Sequence, residues 1–385
     1  MFSSRLNWRL PLTPFARLLD EKRSRGETIL DLTESNPTLA GLAYPADRIL
    51  AALGDARSLR YEPSSAGLAA ARAAISEYYS GCVAPERILV TASTSEGYAF
   101  LFKLLCDPGD EVLVPRPSYP LFEFLAELDS VRVANYPLVY YRGWAIDFDA
   151  LASSVTERTR AVVVVNPNNP TGSFLKKDEL AQLVALCRAR NLALISDEVF
   201  ADYGWEEDSR RVRSLIDTEG VLTFSLSGLS KVAGLPQLKL GWIVTNGPAV
   251  ERAQALENLE LIADTYLSVG TPVQWAAASL LDTRKRLQAQ ILERVRANRD
   301  FLAAQIGPDS PWRLLDAEGG WCAIIEAPRI RSEEEWALAL LAEDHVLVQP
   351  GFFFDFETEA FLVVSLLTLP EIFQEGVRRV LARVG

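Results

Sequence analysis

Between about residue 60 and residue 245, short and almost uninterrupted apolar runs alternate with stretches of helical periodicity. "ERILVTAS" (86–93), "DEVLVPRPSY" (110–119), "RAVVVVNPNNP" (160–170), "LALISDEVF" (192–200), "VLTFSLSGLSK" (221–231) and "LGWIVTN" (240–246) read as strands. "EGYAFLFKLLC" (96–106), "PLFEFLAELD" (120–129) and "KDELAQLVALCRARN" (177–191) place apolar residues at helical spacing. Val, Ile and Leu runs without polar alternation suit strands buried on both faces, the condition of a parallel sheet covered by helices. The helices between them give right-handed crossovers. The expected fold is α/β, with a mostly parallel central sheet flanked by helices. After residue 250 the pattern changes. Residues 273–305 read as one or two long amphipathic helices leading to a second domain. That domain ends in short strands ("GGWCAIIEAP", "HVLVQPG", "AFLVVSLL") and helices ("EEEWALALLAED", "PEIFQEGVRRVLARV").

Polar residues gather at the C-terminal ends of the predicted strands: Thr94 and Ser95, Tyr119, Asn169, Asp197 and Lys231. Ligands of open α/β sheets bind at those ends, so residues distant in sequence can meet in one crevice. Each has an ordinary reading and a chemical one. Lys231, in "FSLSGLSKVAGLP", has no charged neighbours, and only seven of the 39 basic residues are lysine. Taken by itself, it reads as a loop lysine whose ammonium snorkels to water. A desolvated lysine would instead be biased toward the neutral, nucleophilic amine. Asp197 ends an apolar strand, where it either caps the next segment or needs a buried cationic partner. Thr94 and Ser95 open a helix, as an ordinary cap or as a phosphate cradle. "NPNNPTG" (166–172) is a turn, with or without a further duty for Asn169.

Composition narrows the choices. A net charge of −12 argues against a nucleic-acid binder, which needs a basic face. His345 is the single histidine, so a Ser-His-Asp mechanism or a His-rich metal site is not expected; a structural role suits it better. Cys82, Cys106, Cys187 and Cys322 are far apart without a CxxC, which reads as reduced, buried thiols of a cytoplasmic protein. "MFSSRLNWRL" has no apolar signal core, and no run approaches the roughly 18 apolar residues of a membrane span.

Taken in order, a phosphate turn, an aromatic residue, an asparagine, a strand-end aspartate and a lysine resemble the class I/II aminotransferases, pyridoxal-phosphate (PLP) enzymes of fold type I. "NPNNPTG", "SDEV" and "SGLSKVAGLPQLKLGW" carry the likeness, which runs from about Leu30 to Leu381. It implies a large PLP-binding domain (39–285) and a smaller α+β domain from both termini (1–38 and 286–385). It implies that Lys231 holds PLP as a Schiff base and moves the α-proton, and that Asp197 pairs with the pyridinium nitrogen. Asn169 would bond the phenolate oxygen and Tyr119 would stack on the ring. Thr94, Ser95, Ser227 and Lys239 would hold the phosphate. Tyr61, in "RYEPSSAGL", would reach the phosphate of a neighbouring subunit in a homodimer. The implied activity is transfer of an amino group between an amino acid or amine donor and a keto acid. A PLP-dependent decarboxylase or C–S/C–C lyase on the same fold is the alternative, and a non-catalytic PLP-binding regulator a third.

Three departures from the family pattern stand out. Phe200 replaces the tyrosine of "DEVY", so its hydroxyl is lost and the pKa of the lysine's imine is expected to rise; Tyr203 is a candidate substitute. Eight residues after Lys231 the phosphate arginine is Lys239, and three residues before it the usual serine is Gly228, with Ser227 next to it. In "FLVVSLL", Val363 occupies the place of the arginine that clamps the substrate α-carboxylate. If the alignment of this stretch is off, the clamp is an arginine elsewhere in the same domain, such as Arg329 or Arg331. If the register holds, another group binds the carboxylate or the substrate lacks one.

Overall fold

The computed structural model describes residues 2–6 and 13–383. The first strand, β1 (Leu30–Asp31), is two residues long. The next eight strands form the central sheet: β2 (Ile88–Thr91), β3 (Glu111–Arg116), β4 (Arg132–Tyr140), β5 (Trp144–Ile146), β6 (Thr159–Val165), β7 (Ala193–Asp197), β8 (Thr223–Gly228) and β9 (Gly241–Asn246). Their order is β2-β9-β8-β7-β6-β3-β4-β5. The β4-β3-β6-β7-β8 run is parallel throughout. Strands β9 and β5 run against it.

The apolar runs are continuous because successive side chains enter different cores. Val163 packs with Phe100, Leu101 and Ile195 under the helices Thr94–Leu105 and Ala249–Tyr266. Its neighbours Val162 and Val164 pack on the other face with Leu183 of the helix Lys177–Arg190. Helices cover both faces, so no strand position in the middle of the sheet is left to water.

The remaining strands are β10 (Arg313–Leu314), β11 (Cys322–Glu326), β12 (Val346–Leu347), β13 (Gln349–Pro350) and β14 (Phe361–Ser365). Four of them make an antiparallel sheet, β10-β11-β14-β13, while β12 pairs with β1 in parallel. One face of this second sheet, with Ala323, Ile325, Leu362 and Val364, packs with residues of the helices Pro14–Ser24, Glu333–Glu343 and Pro370–Ala382. The other face carries Cys322, Ile324 and Val363 and meets Tyr140 and Trp144 from the edge of the central sheet.

Two expectations change. Residues 273–305 belong to one continuous helix, Thr271–Gln305. Strand β8 ends at Gly228, so Lys231 lies on the single helical turn Leu229–Val232 rather than on the strand. The strand stops where two backbones nearly touch: a Cβ on Gly228 would lie 3.0 Å from the Leu240 carbonyl oxygen and 3.1 Å from the Gly241 Cα. The helix Ala249–Tyr266 and the β4–β5 hairpin were not marked by the apolar rhythm. Only Ala255, Leu259 and Ala263 of that helix are buried, a stripe one residue wide and mostly of small side chains.

Candidate active site

A cavity of about 530 Å³ opens where the C-terminal edge of the central sheet meets the second sheet. Thr94, Ser95, Tyr119, Asn169, Asp197, Lys231 and Lys239 all line it. Ser227 and Tyr61 do not.

Asp197 is the last residue of β7. Its carboxylate accepts hydrogen bonds from the Tyr98 hydroxyl (3.3 Å) and the Val199 amide (3.2 Å). Burial pushes its pKa up to about 6, against the lowering effect of these two donors and of Lys231. No ion pair reaches it among the described residues, so the carboxylate awaits a cation.

Lys231 stands in an aromatic box. Its Nζ lies 4.8 Å from the Trp321 ring centroid and 5.4 Å from that of Phe200. The two rings meet edge to face at 5.2 Å. The ammonium has no hydrogen bond or ion pair among the described residues. Desolvation lowers the Lys231 pKa, opposed by Cys322 and Asp197. The expected loop lysine reaching for water is therefore not what folds. Tyr203 is fully buried and donates its hydroxyl to the Lys231 carbonyl oxygen at 2.6 Å. It steadies the lysine's backbone and does not line the cavity, so it cannot stand in for the hydroxyl missing at Phe200.

At the other end, Ser93 caps the helix Thr94–Leu105, accepting from the Glu96 amide at 3.1 Å, while Glu96 accepts from the Ala92 amide at 2.6 Å. The cap is thus one residue earlier than the two predicted hydroxyls. Thr94 and Ser95 keep first-turn amides that have no intrahelical acceptor. Lys239, exposed and in the left-handed region (φ 49°), lines the same cavity.

"NPNNPTG" divides its labour. The Asn166 amide bonds the Val212 carbonyl and the Leu175 N–H, each at 2.9 Å. Asn168 donates to the Pro117 carbonyl at 3.3 Å and accepts from the Thr171 hydroxyl at 2.9 Å. Asn169 has only a 3.5 Å contact with the Cys322 thiol, so its amide remains available to the cavity.

The expectation for Ser227 needs correction. It is buried off the cavity with its hydroxyl unpaired among the described residues, because alternation along β8 turns it to the face opposite Leu226, beside Trp242; Ser230 lines the cavity instead. Tyr61 is 77 % exposed and lies off the cavity of its own chain. Neither Arg329 nor Arg331 lines the cavity: Arg329 pairs with Glu326 at 3.3 Å and Arg331 stacks on Trp336. Val363 is fully buried among Ile324, Phe354, Phe356 and Phe361. His345 sits with Lys22 (3.2 Å) and Glu27 (3.4 Å), far from this chemistry. All four cysteines are free, but Cys82 is exposed rather than buried.

Trp321, Cys322, Gln349 and Ser35 also line the cavity and were not singled out from the sequence. Gln349 left a trace, as the lone amide in the apolar "HVLVQPG".

The family model described as "Aminotransferase class I and II" matches residues 27–379. The chain belongs to the class I and II aminotransferases. It is 28% identical over 380 residues to the glutamate-pyruvate aminotransferase AlaA of Escherichia coli, spanning 94% of this chain and 91% of that one. It is 29% identical over 363 residues to an alanine aminotransferase of Mycobacterium tuberculosis, spanning 90% and 83%. The fold matches the alanine aminotransferase of Pyrococcus furiosus with a TM-score of 0.88 at 24% identity, covering 98% of both chains. This aminotransferase is accordingly a PLP-dependent transaminase of fold type I. These three relatives are all named as transaminases, and none as a decarboxylase, lyase or regulator. Among the described residues, no helix is long and apolar enough to cross a membrane.

The residues present fit the cofactor. A buried carboxylate without a cation suits a pyridinium N–H. Unpaired first-turn amides with nearby hydroxyls and Lys239 suit a phosphate. A desolvated lysine lining the same cavity suits attachment of an aldehyde carbon.

Proposed function

We propose that this transaminase works through Lys231, and that the observation carrying the reading is the convergence of Lys231, Asp197 and the Thr94–Ser95 helix start on one cavity. Bound PLP supplies an electrophilic carbonyl carbon and a ring that takes up the electron pair left when the α-proton departs. Lys231 Nζ, whose pKa burial lowers, would be the group that attaches to that carbon. With a substrate amine in its place, the freed Nζ would take the α-proton as general base and give it back as general acid on the far side of the imine nitrogen. Asp197 holds the ring nitrogen protonated. Asn169 donates to the phenolate oxygen, and Tyr119, 48 % exposed, is free to cover the ring. Thr94, Ser95 and Lys239 hold the phosphate, with Ser230 in the part expected of Ser227. The substrates are an amino acid or amine donor and a keto acid. The test is to add amino donors to the PLP-loaded protein and follow cofactor absorbance. Donors convert it to the pyridoxamine form, a keto acid restores it, and Lys231→Ala does neither. Failure of every donor to change the spectrum would refute the reading.

A homodimer completes the site in this reading. Leu59 (92 % exposed), Tyr61 and Leu267 (73 %) offer apolar surface. The Thr271 hydroxyl bonds the Ser58 carbonyl at 3.3 Å and ties the two segments together. Tyr61 then reaches the other subunit's phosphate. We also place the division between large and small domains at residues 38/39 and 285/286. The first half of the helix Thr271–Gln305 packs with the central-sheet side (Ala276, Leu280), and its second half with the second sheet's core (Val295, Leu302), which supports that boundary. The free thiols favour a cytoplasmic setting.

A further inference from the structure

The second sheet turns one face toward the cavity, and that face carries an unusual wall. Val363 pairs across the sheet with Ile324 on one side and Gln349 on the other, so the three side chains form one row. Phe354, Phe356 and Phe361 bury Val363 completely. Gln349 is the polar member of the row and lines the cavity, and its side-chain amide has no hydrogen-bond partner among the described residues. In the next row, the Ser365 hydroxyl is already committed to the Glu34 carbonyl (2.7 Å) and the Ser35 hydroxyl (3.1 Å).

The charges sit elsewhere. Among the described residues, the only cations lining the cavity are Lys231 and Lys239. In the proposed function Lys231 holds the cofactor and Lys239 meets a phosphate, so neither is left for a substrate anion. A carboxylate placed beside Gln349 would lose its water to a wall of Trp321 and Phe354, with no free cation among the described residues of this chain to replace it. The Gln349 amide offers both a donor and an acceptor. A carboxylate can use only the donor and faces the amide oxygen unfavourably, whereas a hydroxyl or a carboxamide can use both.

Resting on the transaminase reading above, we propose that the site selects an amino donor whose amino-bearing carbon carries an uncharged polar group, hydroxymethyl or carboxamide, held by the Gln349 amide in place of an α-carboxylate. The reaction balances without any added oxidant. The donor carbon gives up its C–N and C–H bonds and gains a C=O whose oxygen comes from water. The amino group, a proton and an electron pair pass by way of the cofactor to the acceptor's carbonyl carbon, whose oxygen leaves as water. A keto-acid acceptor meets the same wall, so it binds weakly and turns over with a high KM.

The test uses the PLP-loaded protein and three donors of one skeleton: L-alanine, L-alaninol and L-alaninamide. Single-turnover absorbance should give the two neutral donors at least about a tenfold advantage over alanine, the worth of one well-made hydrogen bond or lost charge penalty. Calorimetric binding of 2-methylalaninamide against 2-methylalanine, which have no α-proton to lose, should show the same order without turnover. Gln349→Ala should cost the neutral donors about tenfold and so erase most of their advantage over alanine. Gln349→Arg, at a position that faces the cavity rather than the core, should shift preference toward alanine. A wild-type preference for alanine and 2-methylalanine would overturn the proposal and leave transamination intact. Absorbance unchanged by all three donors would defeat the transaminase reading, while calorimetry would still decide the charge preference.

Discussion

Asp197 and Glu198 are neighbours in the chain, yet they serve different neighbourhoods. Asp197 faces Tyr98 and the cavity; Glu198 is buried and accepts from the Leu215 amide (2.8 Å) and the Ser225 hydroxyl (3.1 Å). Burial raises both, Asp197 to about 6 and Glu198 to about 7. In the unfolded chain such groups titrate near ~4. Folded protein therefore binds more protons than unfolded protein between those limits. The stability from this source is complete below about pH 4 and is lost as pH rises through about 6 and 7. Cofactor-free protein should accordingly melt lower at pH 8 than at pH 5.5 by calorimetry. Asp197→Asn should remove on the order of 1 kcal/mol of that difference. Loading with PLP should remove the same part in the wild type, because the ring nitrogen then supplies the missing cation. Phe200→Tyr makes a second residue-scale test. It returns a hydroxyl beside Lys231, and the pH at which bound-cofactor absorbance titrates should fall by on the order of one unit. At this scale the sequence pointed to Lys231, Asp197 and Asn169, which the fold brings to one cavity, and to Ser227, which lies off it. Proximity in sequence to Lys231 says nothing about which way a strand side chain points.

In the proposed function, phosphate binding depends on the helix Thr94–Leu105. Its position relative to β8 and β9 is set by Gly97, where a Cβ would meet the Leu226 Cδ2 at 2.7 Å. Gly97→Ala should push the helix off the sheet, costing about 1–3 kcal/mol in denaturant unfolding. PLP affinity should fall with it, since the Thr94 and Ser95 amides ride on the displaced turn; fluorescence titration measures that loss. Ser93→Ala should cost about 1 kcal/mol through the lost cap. Elements that are buried on both faces, such as β6, were legible because burial leaves an uninterrupted apolar run. The helix Ala249–Tyr266 was not, since Ala255, Leu259 and Ala263 suffice to seat it and exposed apolar residues such as Val250 and Leu261 among the charged ones blur the periodicity.

For the molecule as a whole, the site is unfinished without a neighbour in the proposed function. Leu59→Asp combined with Leu267→Asp should convert a species of twice the chain mass into monomer in sedimentation, and PLP affinity should drop as Tyr61 is withdrawn. If the double variant stays dimeric and keeps its cofactor, the interface lies elsewhere. The α/β class, the order of the strands' polar termini and the family were determined by the sequence alone, because each is written in local terms: apolar runs, turn residues, a lysine without charged neighbours. Which side chains meet at 530 Å³ of shared space was decided only by the tertiary structure. Strand pairing put Gln349 beside Val363, and packing spent the Tyr203 hydroxyl on the Lys231 carbonyl. Burial, not composition, left Lys231 a poorly solvated amine and Asp197 a carboxylate in search of a cation, since desolvation depends on what surrounds a group and not on what precedes it in the chain.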